Sequence, residues 1–268
     1  MSDLQDKKYG FIGGGKVGFS LANYIRSNNL EVSYIYSPNL IQNRKRCKEY
    51  NFCASDNLFK TISESDVIFI TTPDSEIISI AKRINSYNLP NKIIIHCSGA
   101  ITSKNISTKA NTKILGIHPI AAVSNFNYPL NEIIFTLESI DEELILFGID
   151  FVKILGNDYK ILVGAYKEQY HLGLVFSSNM ISAILKLGIE HLKKCDLGNE
   201  EEILSLLKPL VFSNLNSNFK KGIKDSITGP AIRNDTNTIE IHKKVIDNPY
   251  EKEVYNNLTK IIQGMRNE

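Results

Sequence analysis

The chain has 268 residues, 43% hydrophobic and 22% charged, an ordinary globular balance with room for two modest domains. Lys+Arg 31 against Asp+Glu 29 leaves a formal charge of +2, which gives no electrostatic case for nucleic acid or an anionic membrane as partner. Cys47, Cys53, Cys97 and Cys195 are scattered without a C-x-x-C pair, so neither a zinc cluster nor a disulfide framework is expected, and a reducing compartment fits.

The opening residues 1–8 are polar and lack the apolar stretch of a signal peptide. The run Tyr9-Gly10-Phe11-Ile12 reads as a strand and leads into Gly13-Gly14-Gly15-Lys16-Val17-Gly18. A helix from Val17 to Ser27 and a strand from Glu31 to Ser37 follow, which makes a βαβ unit. Next come a helix over Leu40 to Tyr50, a strand over Asp66 to Thr71, a helix over Glu76 to Tyr87 and a strand over Lys92 to His96. Strands at Lys113 to Ile117 and Ile133 to Leu137 complete an α/β pattern. Strands alternating with helices predict a doubly wound, Rossmann-type parallel sheet with ligands at the strands' carboxyl ends. The character changes near Asp158 to Leu162, and one long amphipathic helix is read from Gly164 to Lys194. Helices near Glu200 to Leu215, Thr238 to Ile246 and Tyr250 to Gln263 follow. The expected division is a dinucleotide-binding domain over residues 1–160 and an all-helical substrate and dimerisation domain over 161–268. No run of roughly 20 apolar residues is read as a membrane span, so a cytoplasmic protein is expected.

The spacing from Gly13 to Gly18 is the G-x-G-x-x-G of a dinucleotide site. Gly13 permits the tight turn, Gly15 lets the backbone approach a pyrophosphate, Gly18 lets the helix pack closely, and Lys16 and Val17 open the helix whose N-terminus faces the phosphates. A purely structural glycine turn is the competing reading. NAD sites place an acid about 20 residues further on, at the ribose 2′-OH. Here the second strand ends Tyr36-Ser37-Pro38-Asn39 without one, and Ser37, Asn39 and Arg44 can donate to a 2′-phosphate. NADP(H) is therefore favoured over NAD(H), although Arg44 also fits a solvent-facing helix position. Thr72-Pro73-Asp74 is a candidate contact beside the nicotinamide, although for Asp74 the plain N-cap of the helix that follows is the slightly favoured reading.

Further along, Ser98 closes a strand and is placed to bond a substrate carbonyl or carboxylate; His118 ends the next strand, where a lone histidine is more often structural than catalytic. Lys167 and His171, at i and i+4, share one helical face and are the candidate proton donors for carbonyl reduction, against a reading of Lys167 as surface and His171 as core. Ser178 returns to that face, and Asn179 turns partly away as a further donor. In the turn-rich stretch Ser226 to Asp235, Arg233 suits a bidentate carboxylate grip, or else pairs with Asp235 or a helix end. No metal site is expected.

These pieces resemble a family in which a Rossmann domain like that of pyrroline-5-carboxylate reductases precedes a helical domain of formerly unknown function. The matching stretches are Gly13 to Gly18, Thr72-Pro73-Asp74, His96-Cys97-Ser98-Gly99-Ala100, Gly116-Ile117-His118-Pro119, Tyr170-His171 through Ser178-Asn179, Lys208-Pro209-Leu210, and Thr228 to Asp235 with Thr238 and His242. The resemblance implies the activity of the alternative ketopantoate reductases: NADPH-dependent reduction of 2-dehydropantoate to pantoate in pantothenate and coenzyme A biosynthesis. The sequence departs from that pattern at Asn234, where the family has glycine, and Asn is among the few side chains that tolerate positive φ. The expectation is an NADPH-dependent reductase of a small 2-oxo acid, acting as a homodimer. A pyrroline-5-carboxylate-type imine reductase and a non-catalytic NADP(H) sensor are the alternatives.

Overall fold

The computed structural model describes residues 2–106 and 113–265. Two compact units divide between Ser178 and Asn179. Unit one runs α1 (Ser2–Gln5), β1 (Lys8–Ile12), α2 (Lys16–Ser27), β2 (Glu31–Tyr36), α3 (Leu40–Glu49), β3 (Ala54–Ser55), α4 (Leu58–Ser63) and β4 (Val67–Ile70). It continues through α5 (Asp74–Ser86), β5 (Ile93–His96), α6 (Ser103–Ile106), β6 (Lys113–Pro119), β7 (Ile134–Glu138), α7 (Glu142–Ile154), β8 (Asp158–Ile161), a 3₁₀ turn (Gly164–Tyr166) and α8 (Lys167–Phe176). The strands form one sheet in the order β3-β2-β1-β4-β5-β6-β7-β8, the Rossmann order extended at one edge.

The expected fold class is what is observed, with one difference in direction. From β3 to β6 the strands are parallel, β7 is antiparallel to β6, and β8 is parallel to β7. The physical reason lies in the connections. No helix bridges β6 and β7, so the chain turns straight back, whereas α7 supplies the crossover that parallel β7 and β8 require. The stretch near Asp158, read as a domain junction, is this last strand, and α8 packs with the sheet; unit one therefore extends past residue 160.

Alternation along the strands fills both faces of the sheet. Phe11, Phe69, Ile95 and Leu115 point to one side, against Phe19 and Ile25 of α2 and Phe151 of α7. Ile12, Ile68, Ile70, Ile94 and Ile114 point to the other, against Ile62 of α4 and Ile77, Ala81 and Ile84 of α5. Strands buried on both faces read as near-continuous apolar runs, which is why Ile93-Ile94-Ile95 carries no polar residue until His96.

Unit two contains α9 (Asn179–Lys193), α10 (Glu200–Lys221), α11 (Ile223–Ser226), α12 (Thr236–Val245) and α13 (Pro249–Gly264). Asn199 and Glu202 form a reciprocal capping box at the start of α10, and Asn248 caps α13. The single long helix expected over Gly164 to Lys194 is interrupted by a turn at Ser177-Ser178. Among the described residues, Gly164–Lys193 is also apolar and long enough, by length and composition, to cross a membrane, and it is mostly exposed. Length and composition alone do not make this stretch, broken at Ser177-Ser178, a membrane span.

Candidate active site

The glycine loop leaves β1 at Ile12, whose neighbours in register are Tyr36 on one side and Ile70 on the other. Gly13 has φ +125°, and a Cβ there would stand 2.7 Å from the Thr71 carbonyl. A Cβ at Gly18 would collide with the Gly13 carbonyl oxygen, so these two glycines are demanded by the protein itself. Gly15 is different: nothing lies within 4 Å of where its Cβ would be, and φ is an ordinary −86°. Gly15 is also the N-cap of α2 and offers no side-chain cap, so the helix's first N–H groups, at Lys16, Val17 and Gly18, await an acceptor from elsewhere. An uncapped N-terminus behind a glycine with open space in front fits a dinucleotide pyrophosphate.

Around the second strand's end, Ser37 packs beside Gly14, and Asn39 spends its side-chain oxygen capping α3 at the Gln42 N–H. Arg44 turns outward to pair with Asp56 at 3.5 Å, both exposed. The guanidinium at the loop is that of Arg46, which donates to the Gly14 carbonyl at 2.8 Å and lies over the Phe126 ring at 4.2 Å. Within the basic run, the sequence reading chose Arg44; the helical period places Arg46 inward.

Thr71 Oγ1 donates to the Gly13 carbonyl at 3.0 Å and so ties the β4 loop to the glycine turn. Thr72 Oγ1 is buried and has no hydrogen-bond partner among the described residues. Pro73, not Asp74, is the N-cap of α5, and Asp74 is its first residue. The Asp74 carboxylate instead accepts the Ser98 hydroxyl at 2.9 Å, while Ser98 Oγ accepts the N–H groups of Ala100 and Ile101. The one proton of Ser98 is therefore committed to joining two strand-end loops, and bonding a substrate requires it to leave Asp74.

The main cluster lies on the face that carries Ile94 and Ile114. One register row crosses the sheet through Ile12, Ile70, His96, Gly116 and Glu138, and paired residues point the same way. The apolar face thus becomes polar at its carboxyl end. Gly116 leaves a gap in that row between His96 and Glu138, and Lys167 fills it from α8. A Cβ on Gly116 would stand 2.9 Å from Lys167 Nζ, 3.0 Å from His96 Nε2 and 3.2 Å from Glu138 Oε2. Lys167 is 1% exposed and pairs with Glu138 at 3.2 Å. Burial draws the Lys167 amine below the usual lysine range, and the Glu138 carboxylate works against that pull. His96 is wholly buried; desolvation, then the Lys167 charge, holds it neutral, and neither ring nitrogen has a hydrogen-bond partner among the described residues.

Two residues along β6, on the same face, His118 Nδ1 meets the Tyr170 hydroxyl at 2.7 Å, and Thr136 donates to that hydroxyl oxygen at 3.1 Å. With Thr136 donating, the phenol's own proton is available to Nδ1, and in the tautomer that accepts it the His118 hydrogen is on Nε2. Burial, with the charges of Lys167 and His171, lowers the His118 pKa to about 4. His118 Nε2 and the half-buried His171 ring both stand against Gly99, where a Cβ would lie 3.0 and 2.8 Å from them. Lys167, Tyr170 and His171 thus present one face of α8 to the ends of β5, β6 and β7.

Asn179 and Arg233 belong to unit two. Asn179 opens α9 and is exposed. Arg233 is exposed in the turn before α12, where Asn234 adopts φ +56°, as expected for a residue standing in for glycine. Asp235 caps α12 through Thr238, and among the described residues Arg233 forms no ion pair. Glu138, Thr136, His96, Tyr170 and Arg46 have no role in the sequence expectation; His96 and Tyr170 stand in the matching stretches, Glu138, Thr136 and Arg46 in none, and strand pairing or helical period brings each to the site.

Fold and loop together define a class: a Rossmann-type dinucleotide-binding domain joined to a helical unit. Residues 8–99 match the family of NADP oxidoreductases described as coenzyme F420-dependent, and residues 133–262 match a domain of unknown function, DUF2520. Among curated proteins, none matches the chain. Among solved structures, a candidate NADP oxidoreductase of Bacteroides fragilis is similar at TM-score 0.81 and 20% identity, over 97% of this chain and 98% of that one. A protein of Thermotoga maritima is similar at TM-score 0.71 and 23% identity, over 97% and 98%. A Plasmodium falciparum pyrroline carboxylate reductase, solved with NADP bound, is similar at TM-score 0.59 and 17% identity, over 98% and 99%. At these identities the likeness is one of fold.

Proposed function

We propose that the protein is an NADPH-dependent reductase of a small 2-oxo acid, with 2-dehydropantoate as its substrate. The observation that carries the reading is the Lys167 amine, buried between His96, Gly116 and Glu138 in the register row that begins at the glycine loop. A buried cation at a sheet's carboxyl end is costly unless it serves negative charge that forms there. The family match over residues 8–99 and the Gly15 cradle support the cofactor, and the motif resemblance through Thr228 to Asp235 supports the substrate.

NADPH, when bound, supplies hydride to the ketone carbon. The α2 N-terminus and Gly15 would hold its pyrophosphate, and Ser37, Asn39 and Arg46 would hold its 2′-phosphate, with Arg44, paired with Asp56, in a lesser part. Thr72, Pro73 and Asp74 form the nicotinamide side. As the carbonyl electron pair moves onto oxygen, the Lys167 charge stabilises it, and His171, at the Gly99 edge, hands over the proton. Neutral His118 donates a hydrogen bond from Nε2 without giving up its proton. The exposed apolar side chains of unit two, among them Met180, Ile181, Ile184 and Leu210, support a homodimer, to be checked by light scattering.

The test is NADPH oxidation followed with 2-dehydropantoate, other 2-oxo acids and pyrroline-5-carboxylate. Turnover with 2-dehydropantoate is expected. Turnover with the imine alone replaces the proposal with the imine reductase, and thermal stabilisation by NADPH without turnover replaces it with a sensor.

A further inference from the structure

Glu138 is gripped from two elements. Its Oε2 accepts the Ser103 backbone N–H at 2.9 Å and the Lys167 ammonium at 3.2 Å, and its own carbonyl accepts the Ser103 hydroxyl at 3.0 Å. The residue is 3% exposed, so the carboxylate is anchored independently of its lysine. Among the described residues, Glu138 is the only ion-pair partner of Lys167. On the far side of Gly116, the neutral His96 ring provides no balancing charge.

We propose that Glu138 is a positioning residue: it holds Lys167 as a fixed ammonium over Gly116, and Gly116 is glycine to leave room for that amine. The proposal rests on the reading of Lys167 given above, through which Glu138 acts. The groups facing Lys167 are Glu138 from β7, His96 at the end of β5, Cys97 in the loop after it, His118 from β6 and Asp74 from α5, while His171, one turn along α8, acts on His118. Burial favours the neutral amine, and the Glu138 charge is the largest force opposing it. Replacing that charge by an amide of the same shape must therefore let the proton leave at lower pH.

The experiment uses the full chain without cofactor and follows the Lys167 Nζ signal by ¹⁵N NMR against pH, assigned by its loss in Lys167→Met. In Glu138→Gln the midpoint is expected about one to three pH units lower, the usual effect of one close opposite charge. With NADPH and 2-dehydropantoate, the alkaline fall in kcat moves by the same amount while the KM for NADPH stays within twofold, and Glu138→Asp restores part of the shift. An unmoved Nζ midpoint overturns the proposal, and so does a moved midpoint with an unmoved kcat profile. A Lys167→Met profile identical to the parent, alongside a shifted midpoint in Glu138→Gln, instead refutes the role given to Lys167. Should Glu138→Gln not fold, Gly116→Ala tests the same geometry: the added methyl displaces the amine, and kcat is expected to fall at least tenfold with NADPH affinity unchanged. Full kcat in Gly116→Ala overturns the proposal.

Discussion

Both units carry lysine–glutamate pairs, but they stand in opposite surroundings. In unit one, Lys167 and Glu138 are almost wholly buried and held by the sheet register. In unit two, Lys186 and Lys193 bridge Glu190 and Glu200 at 2.7–3.2 Å while remaining a third to a half exposed. Exposed pairs contribute little to stability, because water and salt screen them and long side chains lose freedom. A buried pair gains little by existing yet costs much to break, since the surviving charge is stranded. The unit-one pair is thus the one whose breaking should be felt, and the unit-two pairs are a solvated surface.

The sharpest way to break that contrast is to remove one partner at a time. Lys167→Met is expected to destabilise the protein by about 3–5 kcal/mol in urea unfolding, and Lys167→Met with Glu138→Gln to recover most of the loss. Lys193→Met, by comparison, should leave the midpoint unchanged. Equal effects at the two sites would dissolve the contrast.

Acid provides the next largest effect. His118 has a folded pKa of about 4, below its ordinary value of 6.5, so the unfolded chain binds the proton more tightly. The stability tied to its neutral state is complete above pH 6.5 and is lost as pH falls through 4, about 3 kcal/mol in all. His118→Gln should flatten thermal stability across that window; an unaltered acid limb would remove His118 from the buried network.

The smallest expected effect on stability is the most selective for cofactor. Gly15→Ala places a methyl in open space at an ordinary φ, so the melting temperature without NADPH should not change, while NADPH affinity falls at least tenfold, about 1.4 kcal/mol. Gly18→Ala, which strikes the Gly13 carbonyl, should lower both. Full affinity in Gly15→Ala, by calorimetric titration, would make the loop a structural turn.

How much of this was legible in the sequence follows from what local patterns encode. The βαβ opening was readable because glycine spacing and apolar periodicity are local. The reversal of β7 was not, since alternation is the same in either strand direction. The break at Ser177-Ser178 is not legible, because apolar residues continue on both sides and the turn itself contains neither glycine nor proline. Lys167 and His171 are candidates from their i, i+4 spacing alone, whereas Glu138 acquires its place only through pairing with Gly116. Arg44 lies nearer the strand end in sequence, but helix rotation turns it outward to Asp56 and brings Arg46 to the glycine loop.

The most direct measurement is steady-state NADPH oxidation with 2-dehydropantoate by the parent chain, Lys167→Met and the folded double variant Lys167→Met with Glu138→Gln. The buried-cation account predicts that kcat falls at least about a hundredfold in both variants, comparable to removing one electrostatic group from a preorganised site, while NADPH still binds. Parent-like kcat in either variant would contradict it.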